Sequence, residues 1–482
     1  MTSPPAHGAP APGTAPPPGC PAHAGAPAGA PAASLYSPEF AADPTATYER
    51  LRAAGPLAPV ELTPGVRARL VVGYEAALHV LRSPETFSKD ARLWADFANG
   101  TVPPDSPVLP MMAFRPNALF THGEEHRRLR EAITDSLARV EADALRGYVE
   151  RAAEMLIDRF APAGRADLLG QYARVLPLLV FNQMFGCPPE IGDRLVQGMS
   201  GIFDGVAPER ANALLTGSVL ELVALKRARP GPDVTSWLIA HPAGLSDEEL
   251  LHTLVVLMGA GTEPEQNLIA NSLRLLLSDD RFAGDLAGGS MPVEDALDEV
   301  LWTDPPMANY GVHYPMYDTV YEGTVLAKGT PLVISFAAAN NDPALAADRH
   351  AGTRAGNRAH LAWSAGPHVC PAQGPARLIA GVAIETLLDR LPDLELAVPA
   401  AELQWRPGPF HRALATLPVR FPPASAAPAT SALALAFGPG PAARRPGESG
   451  GGPPRAADVP GTPDTPRGRG VWAGLRAWWR GD

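Results

Sequence analysis

The segment from His360 to Leu378 reads HLAWSAGPHVCPAQGPARL and holds the strongest fold signal of the chain. Gly366 and Pro367 predict a tight turn, and Pro371 suits the first turn of a helix. Cys370 is therefore expected immediately before a helix N-terminus. The positive end of the helix dipole lowers the pKa of a thiol at that position, which favours the thiolate that binds metal ions or attacks electrophiles.

The chemistry of Cys370 alone allows three interpretations. The residue is a haem-thiolate ligand, a catalytic nucleophile or a buried structural cysteine, and a lone cysteine is often the last of these. The preceding turn favours a functional thiol, but the residues by themselves leave the three interpretations open.

The loop around Cys370 resembles that of the cytochrome P-450 family of haem-thiolate proteins, which reads F-G-x-G-x-H-x-C-x-G. The matching residues are Gly366, His368 and Cys370. The departures are Trp363, Ser364 and Ala372. The resemblance implies that Cys370 is the fifth ligand of the iron of haem b (iron protoporphyrin IX), and that its thiolate donates electron density that favours O–O cleavage.

Other motifs occur in the order that this family has them. His126 to Arg130 reads HRRLR and is similar to the family's H-x-x-x-R helix, and His126 and Arg130 share one helix face. The resemblance implies that both bind a haem propionate, and the alternative is a solvated charged face. Asn340 to Pro343 resembles the family's N-R-D-P turn, and residues 40–89 are similar to its N-terminal helix–strand–helix region.

The long apolar helix expected over 247–277 carries the first departure that bears on activity. The family pattern A/G-G-x-D/E-T is matched by Ala260, Gly261, Thr262 and Glu263, but Pro264 replaces the threonine that helps to deliver protons. The resemblance implies that Ala260 and Gly261 contact haem. We expect Thr262 and Glu263 to be the catalytic residues that partly substitute for the threonine; alternatively, Glu263 is a structural acid satisfied by its neighbours.

Two further departures concern charged groups. The family's E-x-x-R becomes Glu299 and Trp302, as in some bacterial members with E-x-x-W, so we expect Glu299 to pair with Arg349 and Trp302 to stack on that guanidinium. The family's propionate-binding arginine becomes His313, which we expect to contact haem by a hydrogen bond. The alternative for His313 is an ordinary loop histidine.

Composition fixes the organisation of the chain. The 482 residues include 46 Gly and 55 Pro, concentrated at the two ends. We expect disordered Pro/Gly-rich tails at 1–33 and 422–482, because they cannot bury enough apolar surface to offset their ordering entropy. One P-450-like domain is expected over 34–421. The second tail ends in a Trp-rich segment, in which Trp472, Leu475 and Trp479 form one helical stripe, either for protein or membrane-surface docking or by chance.

The periodicity within 34–421 predicts an α-rich α+β fold with small β-sheets. The expected helices are 44–54, 74–82, 122–160, 247–277 and 374–391. Short strands are expected at 70–72 and within 320–336.

Charge and cysteine content exclude several classes of protein. The net charge of −11 argues against a nucleic-acid binder, and three cysteines suit a reducing compartment, here the cytoplasm. The chain has no run of 18 apolar residues and no secretory signal pattern, so we expect no transmembrane segment.

The leading hypothesis is a haem-thiolate monooxygenase that oxidises an apolar small molecule. Its electrons would come from a separate ferredoxin-type donor, because the chain shows no flavin or Fe–S motif. Arg127, Arg128 and Arg377 are expected on the electron-entry face, or are plain surface charge. The alternatives are a haem-binding sensor or regulatory partner with weak or no activity, and a scaffold without haem.

Overall fold

The computed structural model describes residues 32–203, 208–279, 293–347 and 357–425. The predicted tails lie almost wholly outside the described residues, and so does Arg349. Ala33 is the first residue of a strand, and the C-terminal part is described as far as Ala424 and Ser425, where the Ala424 amide donates to the carbonyl of Ala161.

Sixteen α-helices are described in these ranges, and they confirm the α-rich fold class. They are α1 Pro38–Ala42, α2 Pro44–Ala53, α3 Tyr74–Arg82, α4 Ala95–Ala98, α5 Leu109–Met112, α6 Gly123–Ala138, α7 Ala142–Phe160, α8 Leu176–Met184, α9 Pro189–Phe203, α10 Pro208–Ala228, α11 Val234–Ala240, α12 Asp247–Ser278, α13 Val293–Thr303, α14 Phe336–Asn340, α15 Ala344–Ala347 and α16 Gln373–Arg390.

The strands of the described residues form small sheets at the edges of the helical body. They are β1 Ala33–Ser34, β2 Leu57–Thr63, β3 Val66–Val71, β4 Phe87–Ser88, β5 Arg165–Asp167, β6 Asn309–Pro315, β7 Thr319–Tyr321, β8 Thr324–Leu326, β9 Leu332–Ser335, β10 Glu395–Leu396 and β11 Pro418–Arg420. A six-stranded mixed sheet has the order β1-β2-β3-β9-β6-β4, a three-stranded sheet has the order β10-β11-β5, and β7 and β8 form a hairpin.

Local sequence signals set the helix ends. The Ser246 hydroxyl accepts a hydrogen bond from the Glu249 amide, and the Glu249 carboxylate accepts one from the Ser246 amide, so a capping box starts α12. Asp43 caps α2 in the same way through the amide of Ala46. Such caps typically stabilise a helix by about 1 kcal/mol.

The long helix expected over 122–160 is two helices. The chain leaves the helical conformation at Glu141, where ψ is 131°, and α7 begins at Ala142. Leu129 and Ile133 of α6, with Leu145 and Val149 of α7, are all buried in one helical core, which the break allows both helices to face.

That helical core surrounds α12, the longest helix. Its buried apolar residues come mainly from α6, α7, α8, α10, α12, α13 and α16. Two smaller apolar clusters lie around the six-stranded sheet. None of the described helices is both long enough and apolar enough to cross a bilayer.

Candidate haem site

The cysteine loop packs directly on α3. Gly366 has φ +68°, and a Cβ at this position would clash with the carbonyl oxygen of Leu81. The Cys370 amide donates to the carbonyl of Trp363 at 2.8 Å, which closes the loop. The glycine predicted from the motif is therefore required by both conformation and space.

The sulfur of Cys370 is held at the end of this loop. Its Sγ accepts a hydrogen bond from the Ala372 amide at 3.4 Å. Burial nevertheless raises the pKa of the Cys370 thiol, while the Ala372 amide and Arg130 act in the opposite direction. The expectation of a thiol pKa lowered by the helix dipole is thus wrong for the protein alone, because burial outweighs the local dipoles and α16 begins only at Gln373. A bound metal ion would supply the charge needed for deprotonation.

Three imidazoles lie beside the cysteine loop. The ring of His126, on α6, is centred 3.8 Å from that of His368, and the ring of His313, on β6, is centred 6.3 Å from it. Burial lowers the pKa of His126 to about 4 and of His313 to about 3, and it also lowers that of His368. These rings are therefore neutral at pH 7 in the protein alone.

The hydrogen bonds of the histidines and of Arg130 show which of their nitrogen atoms have partners within the protein. His313 Nδ1 is 2.6 Å from the carbonyl oxygen of Gly311, so Nδ1 carries the proton and donates to it. His126 Nε2 is buried and has no hydrogen-bond partner among the described residues. The half-buried Arg130 donates from Nε to the hydroxyl of Thr134 at 3.2 Å. Together with His122, these side chains line a cleft of about 520 Å³.

The middle of α12 has an open face within the core. Ala260 is exposed, and Leu257, Gly261 and Pro264 are half-buried, although residues 262, 263 and 265–273 are buried. These four positions follow helical spacing and form one apolar stripe. Gly261 packs on the ring of Phe181 of α8, where a Cβ would clash, so the more open positions of the stripe are Leu257, Ala260 and Pro264.

Thr262 and Glu263 already have partners within the protein. The Thr262 hydroxyl donates to the carbonyl of Met258 at 2.7 Å. Glu263 is ion-paired with Arg406 and accepts a hydrogen bond from Gln266 at 2.8 Å. These contacts match the structural alternative for Glu263, and the catalytic role of both residues stays a prediction.

Trp302 is fully buried and replaces the missing arginine by a neutral contact. Its indole N–H donates to the carbonyl of Asn357 at 2.7 Å, and its ring lies edge-on to that of His360 at 5.6 Å. Asn340 donates to the carbonyl of Leu301 at 2.9 Å and accepts from the amide of Leu361 at 2.7 Å. The end of α13 is thereby joined to the segment that leads into the cysteine loop. The predicted pairing of Glu299 with Arg349 lies outside the described residues.

The structure shows charged contacts that the sequence did not predict. Arg377 is ion-paired with Asp298 and Glu294, and its side chain is only 12% exposed, which leaves little of its guanidinium for docking. Arg127 is exposed and pairs with Glu124, and Arg128 pairs with Glu249. Neither Asp298 nor Arg406 belongs to a motif, so only three-dimensional proximity identifies them.

The site residues fit haem. A thiol is available for iron, the apolar stripe of α12 for the porphyrin, and an orphaned imidazole nitrogen with a guanidinium for the propionates. A cysteine thiolate that binds the haem iron, together with basic side chains that bind the haem propionates, defines the class of haem-thiolate proteins.

Relatives of known name support this class. No protein-family model matches the chain. The chain is 34% identical over 393 residues to the cytochrome P-450 monooxygenase PikC of Streptomyces venezuelae, with 80% of this chain and 92% of PikC covered. It is 32% identical over 384 residues to the 2-hydroxy-5-methyl-1-naphthoate 7-hydroxylase of Streptomyces carzinostaticus, with 77% and 93% covered.

Solved structures give the same result. CYP154C4 of Streptomyces sp. ATCC 11861 matches with a TM-score of 0.73 at 32% identity, covering 81% of this chain and 98% of that protein. CYP154A1 of Streptomyces coelicolor A3(2) matches with a TM-score of 0.70 at 31% identity, covering 81% and 100%.

The chain belongs to the cytochrome P-450 family. It is an oxidoreductase of the monooxygenase type, and its family implies a haem cofactor. The family resemblance and the fold class predicted from the sequence are confirmed.

Proposed function

We propose that the protein oxidises an apolar small molecule with O2 and electrons from a separate ferredoxin-type donor, using haem b held by Cys370. The observation that carries the proposal is the Cys370 sulfur, fixed at the end of a loop whose His368 lines a cleft together with Arg127 and Arg130. When bound, haem supplies the O2 activation that protein side chains cannot perform.

The protein residues have separate roles in this proposal. Cys370 binds the iron, and Gly366 lets the loop approach α3 closely enough to fix the sulfur. His126, Arg130, His313 and His368 surround the propionates, while Ala260 and Gly261 lie against the porphyrin. Thr262 and Glu263 move protons towards the reacting centre.

The reduced-plus-CO absorption spectrum tests the proposal. Wild-type protein made with ample haem should give the absorption band of a CO-bound haem thiolate, and Cys370→Ala should lose it because no other described thiol lies at the site. Cys187→Ala is the matched control, since Cys187 is the other described free cysteine. A thiolate band that persists in Cys370→Ala, or colourless wild-type protein, would contradict the assignment.

The names of two relatives are consistent with a substrate whose carbon skeleton is largely apolar. One relative is named as a naphthoate hydroxylase and another as 6-deoxyerythronolide B hydroxylase, which at 28% identity covers 80% of this chain. A panel of aromatic and macrocyclic compounds should include ligands that shift the haem Soret band on titration. If only charged, strongly polar compounds gave such shifts, the apolar class would be rejected.

The proposal includes a cytoplasmic location, which the unbridged thiols of Cys187 and Cys370 support. The regulatory alternative gains no support from the relatives, which are named as monooxygenases and hydroxylases.

A further inference from the structure

Lys89 is a buried cation without a counter-ion. It follows β4, and only 6% of it is exposed. Within the described part of the chain no carboxylate pairs with its ammonium group. Its Nζ lies over the face of the Tyr310 ring, 5.5 Å from the centroid. Burial lowers the pKa of Lys89 to about 8, so the group still carries its charge at pH 7. A buried charge without a partner destabilises the folded protein until a group of opposite charge compensates for it.

The positive field of Lys89 reaches the haem site. β4 pairs with β6 in antiparallel fashion, with Ser88 opposite Tyr314, so the next residue, Lys89, lies beside His313. In keeping with this position, burial and the charge of Lys89 both lower the pKa of His313. The acidic residue that lines the adjoining cleft, Glu124, is paired with Arg127. The described surroundings are therefore basic and offer Lys89 no balancing negative charge.

Water cannot replace the missing anion. Lys89, Met112, Tyr310 and Tyr314 line a cavity of about 10 Å³, which is room for about one water molecule. The hydroxyl of Tyr314 is also buried and has no hydrogen-bond partner among the described residues. A single water cannot solvate an ammonium group as bulk solvent does, so a ligand carboxylate that reached Nζ would stabilise its charge.

We propose that Lys89 binds a propionate of the haem and supplies the positive charge that His313 does not. His313 stands where the family usually has an arginine, and its Nδ1 proton is already donated to Gly311. Lys89 comes from a distant part of the chain, so the replacement is visible only in three dimensions. The inference rests on the proposed function, since it takes haem as the ligand.

Haem transfer from full-length holoprotein to excess apomyoglobin measures this contact. Lys89→Met should release haem about tenfold faster, because a hydrogen bond to a charged group contributes about 1.5–3 kcal/mol and 1.4 kcal/mol corresponds to a tenfold change. Lys89→Arg keeps the charge and should stay within about threefold of wild type. Lys328→Met removes an exposed lysine and should not change the rate.

A spectroscopic signature separates charge pairing from packing. The propionate bending mode in the resonance Raman spectrum should shift in Lys89→Met and stay near its wild-type position in Lys89→Arg. Release at the wild-type rate from Lys89→Met overturns the inference, as does equally fast release from Lys89→Met and Lys89→Arg with an unchanged propionate mode. Wild-type protein that takes up no haem overturns the proposed function itself, and its absorption spectrum distinguishes that failure from the others.

Discussion

Pro264 removes one backbone donor from the middle of α12. A helical residue at this position would donate its N–H to the carbonyl of Ala260, four residues earlier, and proline has no N–H to give. Ala260, whose carbonyl loses this donor, is exposed and belongs to the apolar stripe of α12. Proline also lacks the hydroxyl of the threonine in the family pattern, so this residue changes both the backbone hydrogen bonding and the side-chain donors of α12.

Pro264→Thr should therefore increase product formation per electron consumed. We expect a gain of roughly tenfold, a modest part of the about 10²–10⁴-fold that a positioned proton donor contributes. Pro264→Ala is the control, because it restores the N–H without the hydroxyl. If Pro264→Ala gave the same gain in coupling assays, helix shape rather than proton delivery would be the cause.

Trp302 contributes a hydrogen bond as well as volume. Trp302→Phe keeps an aromatic ring but leaves the Asn357 carbonyl without the indole donor, which should lower the free energy of unfolding by about 1–3 kcal/mol. Trp94→Phe is a matched control, since Trp94 is 1% exposed and its indole N–H has no partner among the described residues. Urea unfolding that shows equal losses for the two variants would assign the effect of Trp302 to packing alone.

Residues within a local motif could be predicted from the sequence, and residues that act across the fold could not. Cys370 and Gly366 occur in a loop of fixed spacing, and His126 and Arg130 share a helix face. Lys89 has no such pattern, because its significance depends on proximity to residues more than 200 positions away. The charge of a buried group is decided by its tertiary neighbours.

Helices with strong end signals were predicted to within about one residue. Examples are α3, α12 and α16. Their hydrophobic periodicity lies within each helix, and the Ser, Gly and Pro residues that mark their ends lie next to it in the sequence. The break between α6 and α7 was missed because neither glycine nor proline marks it. Parallel pairing of β3 with β9, residue 69 with residue 332, depends on long-range contacts and has no local signal.

The first turns of α12 carry a buried histidine that makes stability depend on pH. His252 is 2% exposed, and burial together with Arg115 lowers its pKa to about 4. Between pH 6.5 and 4 the unfolded chain binds a proton that the folded protein does not bind, so the free energy of unfolding falls as the pH falls.

His252→Gln should therefore flatten the pH dependence of stability by about 1 kcal/mol per pH unit below pH 6.5. Urea unfolding of the full-length protein at a series of pH values measures this slope. The expectation concerns the slope and not the absolute stability, which the substitution also changes. An identical slope for variant and wild type would show that His252 is not neutral in the folded state.

The whole molecule is acidic, with a net charge of −11, whereas the cleft beside the cysteine loop is basic. An acidic ferredoxin would therefore be repelled by the protein as a whole and attracted by this one region. Such an arrangement orients a partner during approach, and salt weakens both effects.

Arg127→Glu should slow reduction by an acidic [2Fe–2S] ferredoxin several-fold at low salt, because Arg127 is the most exposed arginine lining the cleft. The difference should shrink as salt is added, which stopped-flow measurements at two salt concentrations can show. Arg67→Glu makes the same charge change on β3, away from the residues that line the cleft, and is the control. Equal effects of the two reversals would reject local docking at this cleft.

The close packing of Gly366 on Leu81 makes the two segments mechanically dependent. The two backbones touch without an intervening side chain that could change its rotamer. A movement of α3 is therefore transmitted to the loop that carries Cys370. Substitutions around residues 74–82 should therefore change the position of the Cys370 sulfur from outside its own segment. In directed evolution, substitutions in α3 are therefore better tolerated than substitutions at Gly366, where any side chain would clash with Leu81.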